Sequence, residues 1–299
     1  FHMSRRMEQQ PEGKTFGSVF KNLRKKKAWE ILDCLGLRGF KIILRPAINI
    51  EQNVTLLNSN NIKVKLKVLD AISGNPLPNA NLDLWVYGVE DKGNTTGIEL
   101  NIVYHESTLT DWKGEYEKEI SILNVDKLLV LSYTSYYGIK GMNFTFVGLS
   151  PSIASTYLNY TISSNILTLV YDTSKAPPQA AVIVSDTILI YDGEWTEYKW
   201  YHDNNVSGRL LNSGGKTTLN ITLPNPSPLV LVPVSVVGIP SGREVSTYIV
   251  LYFEFDEDVF LKPIIKEYGM KGVLWTSSYT RGLAEVGGVT YSIEVYVSR

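Results

Sequence analysis

Between Ile62 and Val68 every second residue is apolar: Ile62, Val64, Leu66 and Val68 alternate with Lys63, Lys65 and Lys67. Successive side chains of an extended strand point to opposite faces, so this pattern specifies a strand with one dry face and one wet face. A helix would scatter the three lysines around its axis. A one-residue slip in pairing would bury all three ammonium groups, which fixes the register as well. The expectation is an antiparallel sandwich over residues 62–135 with Val64, Leu66, Val68, Leu82, Leu84 and Val86 facing inward.

The same period recurs to the end of the chain. Strands are expected around Ile98–His105, Tyr116–Ile122, Leu128–Tyr133, Met142–Val147 and Ile166–Tyr171. After the proline-bearing stretch Thr173–Gln179 they follow at Ala181–Val184, Thr187–Tyr191, Glu197–Tyr201, Thr217–Leu223, Leu229–Val236, Thr247–Phe255, Gly272–Thr276 and Val289–Val297. Turn clusters such as Asp192-Gly193 and Ser213-Gly214-Gly215 separate them, as in immunoglobulin-like sandwiches. Val259–Tyr268 alone reads as a possible helix in this half, with Pro263 inside it.

The first residues break this pattern. From Phe16 to Leu35 the apolar residues fall mostly at helical spacing, and Lys21, Arg24, Lys25, Lys26 and Lys27 lie among them. Phe40–Leu44 reads as a short strand ending near Pro46, and the Asn-rich stretch 51–61 as a linker. Residues 1–46 carry 11 Lys/Arg against 4 Asp/Glu, whereas the remainder carries 18 against 26, so a basic arm precedes a mildly acidic body. That distribution disfavours a body that binds nucleic acid over its whole surface. The expected fold is all-β: two antiparallel β-sandwich-like domains, 51–172 and 173–299, preceded by a basic helical arm over 1–50. Residues 16–44 are expected to serve self-assembly or a protein partner while contributing little to the body's folding. The arm's lysines also suit an anionic surface. No apolar run is long enough for a transmembrane helix.

Residues 62–122 carry a resemblance to a known class. The strand Ile62–Val68 leads through Asp70 to Gly74-Asn75-Pro76-Leu77-Pro78-Asn79-Ala80 and the strand Asn81–Tyr87. Thr108-Leu109-Thr110-Asp111-Trp112-Lys113-Gly114-Glu115-Tyr116 follows. This order resembles the transthyretin-like, carboxypeptidase-regulatory-like β-sandwich modules. The resemblance implies a non-catalytic adhesive, appended or surface-layer part. Within it, Asp111 is suited to accept backbone amides and Gly114 to supply a positive φ. The excursion Gly88–Asn101 departs from the compact pattern.

The residues that could carry chemistry do not assemble into a known motif. Cys34 is the only cysteine, so no intramolecular disulfide or CxxC metal site exists. The three histidines, His2, His105 and His202, lack metal-ligand spacing. Glu254, Asp256, Glu257 and Asp258 could form a cation site or a glycosidase-type carboxylate pair, although a solvated strand end is the plainer explanation. Trp195, Tyr198, Trp200 and Tyr201 could stack a sugar ring, or fill a core. No catalytic residue, metal or cofactor is expected.

Six Asn-x-Ser/Thr triplets stand at Asn53, Asn94, Asn143, Asn159, Asn205 and Asn220. Together with the Tyr- and Thr-rich, disulfide-free composition they resemble extracellular glycoproteins of thermophilic archaea. The leading expectation is therefore a non-enzymatic cell-surface or extracellular structural or adhesive protein, such as a filament or envelope component. The alternatives are a carbohydrate-active or carbohydrate-binding protein using the second domain, and an intracellular interaction protein acting through the basic arm.

Overall fold

The structure is a computed structural model that describes residues 38–91, 98–122, 125–149, 151–163, 165–177, 179–191, 195–200, 208–211, 215–224, 229–239, 242–251, 264–269, 278–286 and 289–298. The helix expected over 16–35, its five basic residues and Cys34 lie outside these.

The strands run, in order, β1 (Gly39–Pro46), β2 (Ile48–Asn58), β3 (Asn61–Asp70), β4 (Asn81–Asp91), β5 (Ile98–Leu109), β6 (Glu115–Ser121), β7 (Leu128–Tyr136) and β8 (Ile139–Val147). After the short helix α1 (Pro151–Tyr157) come β9 (Leu158–Ser163), β10 (Ile166–Asp172), β11 (Ala181–Val184), β12 (Thr187–Tyr191), β13 (Trp195–Lys199) and β14 (Arg209–Leu211). The last six are β15 (Lys216–Thr222), β16 (Leu229–Ile239), β17 (Gly242–Leu251), β18 (Ile264–Gly269), β19 (Ser278–Val286) and β20 (Val289–Ser298). They form five sheets, and every described pairing is antiparallel. The chain is all-β.

The first sandwich packs sheet β2-β3-β6 on sheet β5-β4-β7-β8. Its core holds Ile62, Val64, Leu66, Val68, Leu82, Leu84 and Val86, all buried, as the alternation requires. On the wet face Lys63 and Lys65 pair with Glu117, and Lys67 with Glu115. The second sandwich packs sheet β15-β10-β9 on the sheet of β11–β14, β16 and β17, around Leu167, Leu169, Tyr171, Ile221 and Val230. The proline-bearing stretch from Thr173 thus runs between the two sheets of this second sandwich.

A third core joins everything. β18-β1-β20-β19 form a separate sheet whose Phe40, Ile42, Leu44, Tyr291, Ile293 and Val295 pack with residues from both sandwiches. Several described strands are consequently buried on both faces, β7, β12 and β16 among them. Leu128 and Val130 of β7 enter the first core while Leu129 and Leu131 enter the third. Val230 and Val232 of β16 enter the second core while Leu229 and Leu231 enter the third. Strands covered on both sides read as continuous apolar runs, which is why Leu128–Leu131 and Leu229–Val232 show no alternation.

Three sequence expectations need correction. Residues 51–58 are not a linker but most of β2, paired with β3 from Ile48↔Asp70 to Asn58↔Asn61. Gln52 hid this strand by placing an amide where the period calls for an apolar residue. That amide is satisfied: Nε2 donates to the Val130 carbonyl (3.0 Å) and to Thr145 Oγ1 (2.9 Å), and Oε1 accepts from Ser132 Oγ (2.6 Å). Residues 264–268, expected within a helix, belong to strand β18, because pairing with β1 overrides local propensity. Finally, Phe40–Leu44 is a strand as expected but is not separate from the body. β1 is a middle strand of its sheet, and Phe40 and Ile42 are fully buried.

Candidate functional site

Among the described residues, a cluster of four titratable side chains links β5 and β6 at one side of the first sandwich. Alternation puts Tyr104 and Glu106 on one face of β5, and Tyr116 and Lys118 on one face of β6. These two strands are edges of opposite sheets. Glu106 Oε2 accepts from the Tyr104 hydroxyl and from the Tyr116 hydroxyl (2.6 Å), and Lys118 Nζ lies 3.5 Å from it. Lys118 also sits 5.9 Å from the centre of the Tyr104 ring. The Tyr104 and Tyr116 phenols, aided by Lys118, hold the Glu106 carboxyl below its ordinary value. Burial, then the bond to Glu106, pushes the Tyr116 hydroxyl far above its own, and Tyr104 and Glu106 raise Lys118. Near neutral pH the Glu106 carboxylate has already lost its proton and the Tyr116 phenol keeps its own. Those shifts move Glu106, Tyr116 and Lys118 away from the neutral range in which a general acid or base works best. The constellation is an electrostatic clasp between two sheet edges. Its signal in the sequence is only a pair of i, i+2 polar residues on each strand.

A second tie lies in the β1–β20 sheet. Arg45 Nη2 meets Glu294 Oε1 at 3.0 Å, the Tyr296 hydroxyl donates to Glu294 Oε2 at 2.9 Å, and the Glu294 side chain is 4% exposed. Arg45 Nε is buried without a hydrogen-bond partner. The two turns of the resemblance are pinned in similar fashion. Asp70 Oδ1 accepts from the amides of Ile72 and Ser73 and from Ser73 Oγ. Burial pushes its carboxyl up, but those bonds outweigh it and leave the group below its usual range. Asp111 Oδ1 accepts from the amides of Lys113 and Glu115, and Gly114 adopts φ +71°.

Of the aromatic residues expected near a hairpin of the second sandwich, Trp195 is buried and Tyr198 and Trp200 are half-buried. Trp195 is buried in the third core, 5.1 Å from Tyr191 between ring centres, and its Nε1 has no hydrogen-bond partner. Tyr198 and Trp200 pack on the second core, where Trp200 Nε1 donates to the Ser185 carbonyl at 2.6 Å. Tyr201 and His202 lie outside the described residues, as do Glu254, Asp256, Glu257 and Asp258. His105 stacks on Trp85 across the β4–β5 pair, with centroids 3.4 Å apart and planes 16° from parallel. Among the described residues, no group of three or more His, Cys, Asp or Glu could hold a metal ion. Nor is any described helix long and apolar enough to cross a membrane, which says nothing of crossing by strands.

Four sequons fall on described residues, and the fold separates them. Asn159 on β9 and Asn220 on β15 are exposed on the outer face of sheet β15-β10-β9 and flank β10. Asn220 Oδ1 accepts from Thr168 Oγ1 at 2.8 Å. Asn53 is exposed on the wet face of β2. Asn143 differs: it is half-buried, its amide nitrogen donates to the Ile50 carbonyl at 2.7 Å, and its Oδ1 accepts from the Phe144 amide. Asn94 and Asn205 lie outside the described residues.

No family model matches the chain. No curated protein matches it either. Solved structures give loose likenesses. Trypsin-activated alpha-2-macroglobulin from Escherichia coli is 10% identical over 69% of this chain and 17% of its own, with a TM-score of 0.27. Red sea bream transglutaminase is 12% identical over 81% and 34%, at 0.22. The Yersinia pseudotuberculosis adhesin InvE is 12% identical over 81% and 73%, at 0.21. The chain thus spans about a sixth of the macroglobulin's length and a third of the transglutaminase's.

Proposed function

We propose that this chain is a non-enzymatic structural or adhesive β protein that works at the cell surface or outside the cell. The observation that carries the reading is the outer face of sheet β15-β10-β9. It displays Asn159, Thr161, Ser163, Thr218, Asn220 and Thr222 to solvent, and these include two complete glycosylation acceptors. The described ionisable clusters support the non-enzymatic half of the reading. Glu106, Asp70, Asp111 and Glu294 each tie strands or turns together through a carboxylate oxygen. The resemblance of residues 62–122 to transthyretin-like modules fits the same reading, and Asp111 and Gly114 build their turn as that resemblance calls for.

Peptide mass spectrometry of the native protein tests this. Glycans are expected on Asn159, Asn220 and Asn53, with Asn143 bare because its amide nitrogen is engaged. Finding the protein inside the cell, with all four bare, would overturn the reading.

A further inference from the structure

We infer that β1 is an exchangeable strand, and that the slot it occupies between β18 and β20 accepts Gly39–Pro46 of a second copy of this chain. The inference rests on the structural reading above and gives it a partner and a mode of assembly.

The sheet that holds β1 is made from the two ends of the described chain. β18, β19 and β20 follow one another near the C-terminus, while β1 comes from before the first sandwich. β1 pairs with β18 from Gly39↔Gly269 to Leu44↔Ile264 and with β20 from Gly39↔Ser298 to Pro46↔Tyr291. Without it, two strand edges would face each other across a gap of about 9–10 Å, twice the ordinary strand spacing. The floor of that gap is the third core, where Phe40, Ile42 and Leu44 seat. Its outer side holds the Glu294 carboxylate that takes Arg45. The slot therefore specifies an eight-residue strand with apolar residues at positions 2, 4 and 6 and a cation at position 7. Gly39–Pro46 of any copy meets that specification, and a donated strand would make the contacts that the chain's own strand makes.

Two features make donation competitive with self-insertion. First, β1 leaves its sheet at a single residue. Ala47 donates its amide to Thr290 in β20's sheet and accepts from the Ala71 amide in the first sandwich, and β2 starts at Ile48. A short connection preceded by a proline has no slack to turn the strand locally, and such hinges favour exchange. Second, before the body has folded, self-insertion must close a loop of roughly 220 residues, from Pro46 to Ile264, so at that stage the strand's effective concentration at its own slot is on the order of a millimolar or less. During synthesis β1 emerges long before its acceptor exists, and a finished neighbour can offer a slot first. Because each copy has one donor and one acceptor, exchange is head-to-tail and builds an open chain of subunits unless the rotation between copies happens to close a ring.

The test uses the full chain with Cys34→Ser. Lys41 and Tyr296 are register partners on the outer side of the sheet, both half-buried. Lys41→Cys and Tyr296→Cys are made singly, with different tags, and together in one chain. Oxidising a mixture of the two single variants can join positions 41 and 296 only between copies. The expected result is that mixed-tag dimer in clear excess over a control pairing Lys65→Cys with Tyr296→Cys, and a ladder of covalent multimers from the double variant that lengthens with concentration. A double variant that closes within one chain at every concentration, together with no 41–296 bond in the mixture, would overturn the inference. Thiols that stay free in the double variant would overturn it too, because the register would then be wrong. Neither result depends on where the protein resides or on its glycans, so the two proposals fail separately.

Discussion

Two glycines share a backbone conformation but not an environment, and comparing them isolates what the packed turns of the first sandwich contribute. Gly74 and Gly114 both have φ +71°. Around Gly74 nothing lies within 4 Å of where a Cβ would stand. A Cβ on Gly114 would stand 2.7 Å from the Val68 carbonyl oxygen and 2.9 Å from the Leu77 amide nitrogen. Those two atoms are hydrogen-bonded to each other at 2.9 Å, so the methyl group, borne by the second turn, would wedge into the bond that closes the first turn onto β3. Gly74→Ala carries only the left-handed conformational cost, about 1–2 kcal/mol, partly offset by a less flexible unfolded chain worth about 0.4–1 kcal/mol. Gly114→Ala adds the lost bond, about 1 kcal/mol, and a backbone displacement. Its total is about 3 kcal/mol or more. At roughly 2–4 °C of melting temperature per kcal/mol, Gly74→Ala should lower Tm by a few degrees at most and Gly114→Ala by about 6–12 °C. Urea unfolding followed by tryptophan fluorescence and far-UV circular dichroism gives both differences, provided the two probes coincide. Equal losses for the two variants would refute the close packing of the turns and leave only backbone conformation.

Leu66→Asp should destabilise by on the order of 3 kcal/mol or more, because it buries an unpaired charge in the first core, and an unchanged Tm would mean that the register is wrong. Phe40→Ala should cost about 3–5 kcal/mol by chemical denaturation, since the ring is fully buried in the third core; a neutral effect would return β1 to the status of a loose arm. Gln52→Ala should cost about 1–3 kcal/mol by leaving Ser132 Oγ and the Val130 carbonyl without their partner, and Gln52→Glu should be no milder; calorimetry of either variant checks it. The lowered folded value of Glu106 means that its share of stability is present above the unfolded carboxyl value, near pH 4.3, and is lost as pH falls through the lower folded value. Glu106→Gln should therefore flatten the acid limb of a Tm-against-pH curve, and a limb of unchanged slope would show that the clasp is not electrostatic.

Much of the first sandwich was legible in the residues because one of its sheets has a wet face. Lys63, Lys65 and Lys67 mark that face, and Asp111 and Gly114 encode their turn through local bonding and a local φ. These are short-range effects, written in neighbouring residues. Glu106 was not legible as a site, because its partners Tyr116 and Lys118 sit on a strand of the opposite sheet. Nor could composition distinguish Asn143 from Asn159 as acceptors: the triplets are alike, and only the Ile50 carbonyl opposite Asn143 tells them apart. Gln52 misled for the same reason, since a polar residue on a dry face is tolerated only when distant groups meet its amide.

By itself, the sequence determined the all-β class, most strand positions and the inward face of β3 and β4, since alternation and turn chemistry act over a few residues. The tertiary structure alone decided that β1, read as part of a detached arm, lies between β18 and β20, and that β7 and β16 are buried on both sides. Those outcomes depend on which apolar faces meet across hundreds of residues. A strand's own sequence states that it has a dry face, but the partner that covers it is set by the competition among all such faces in the folded chain.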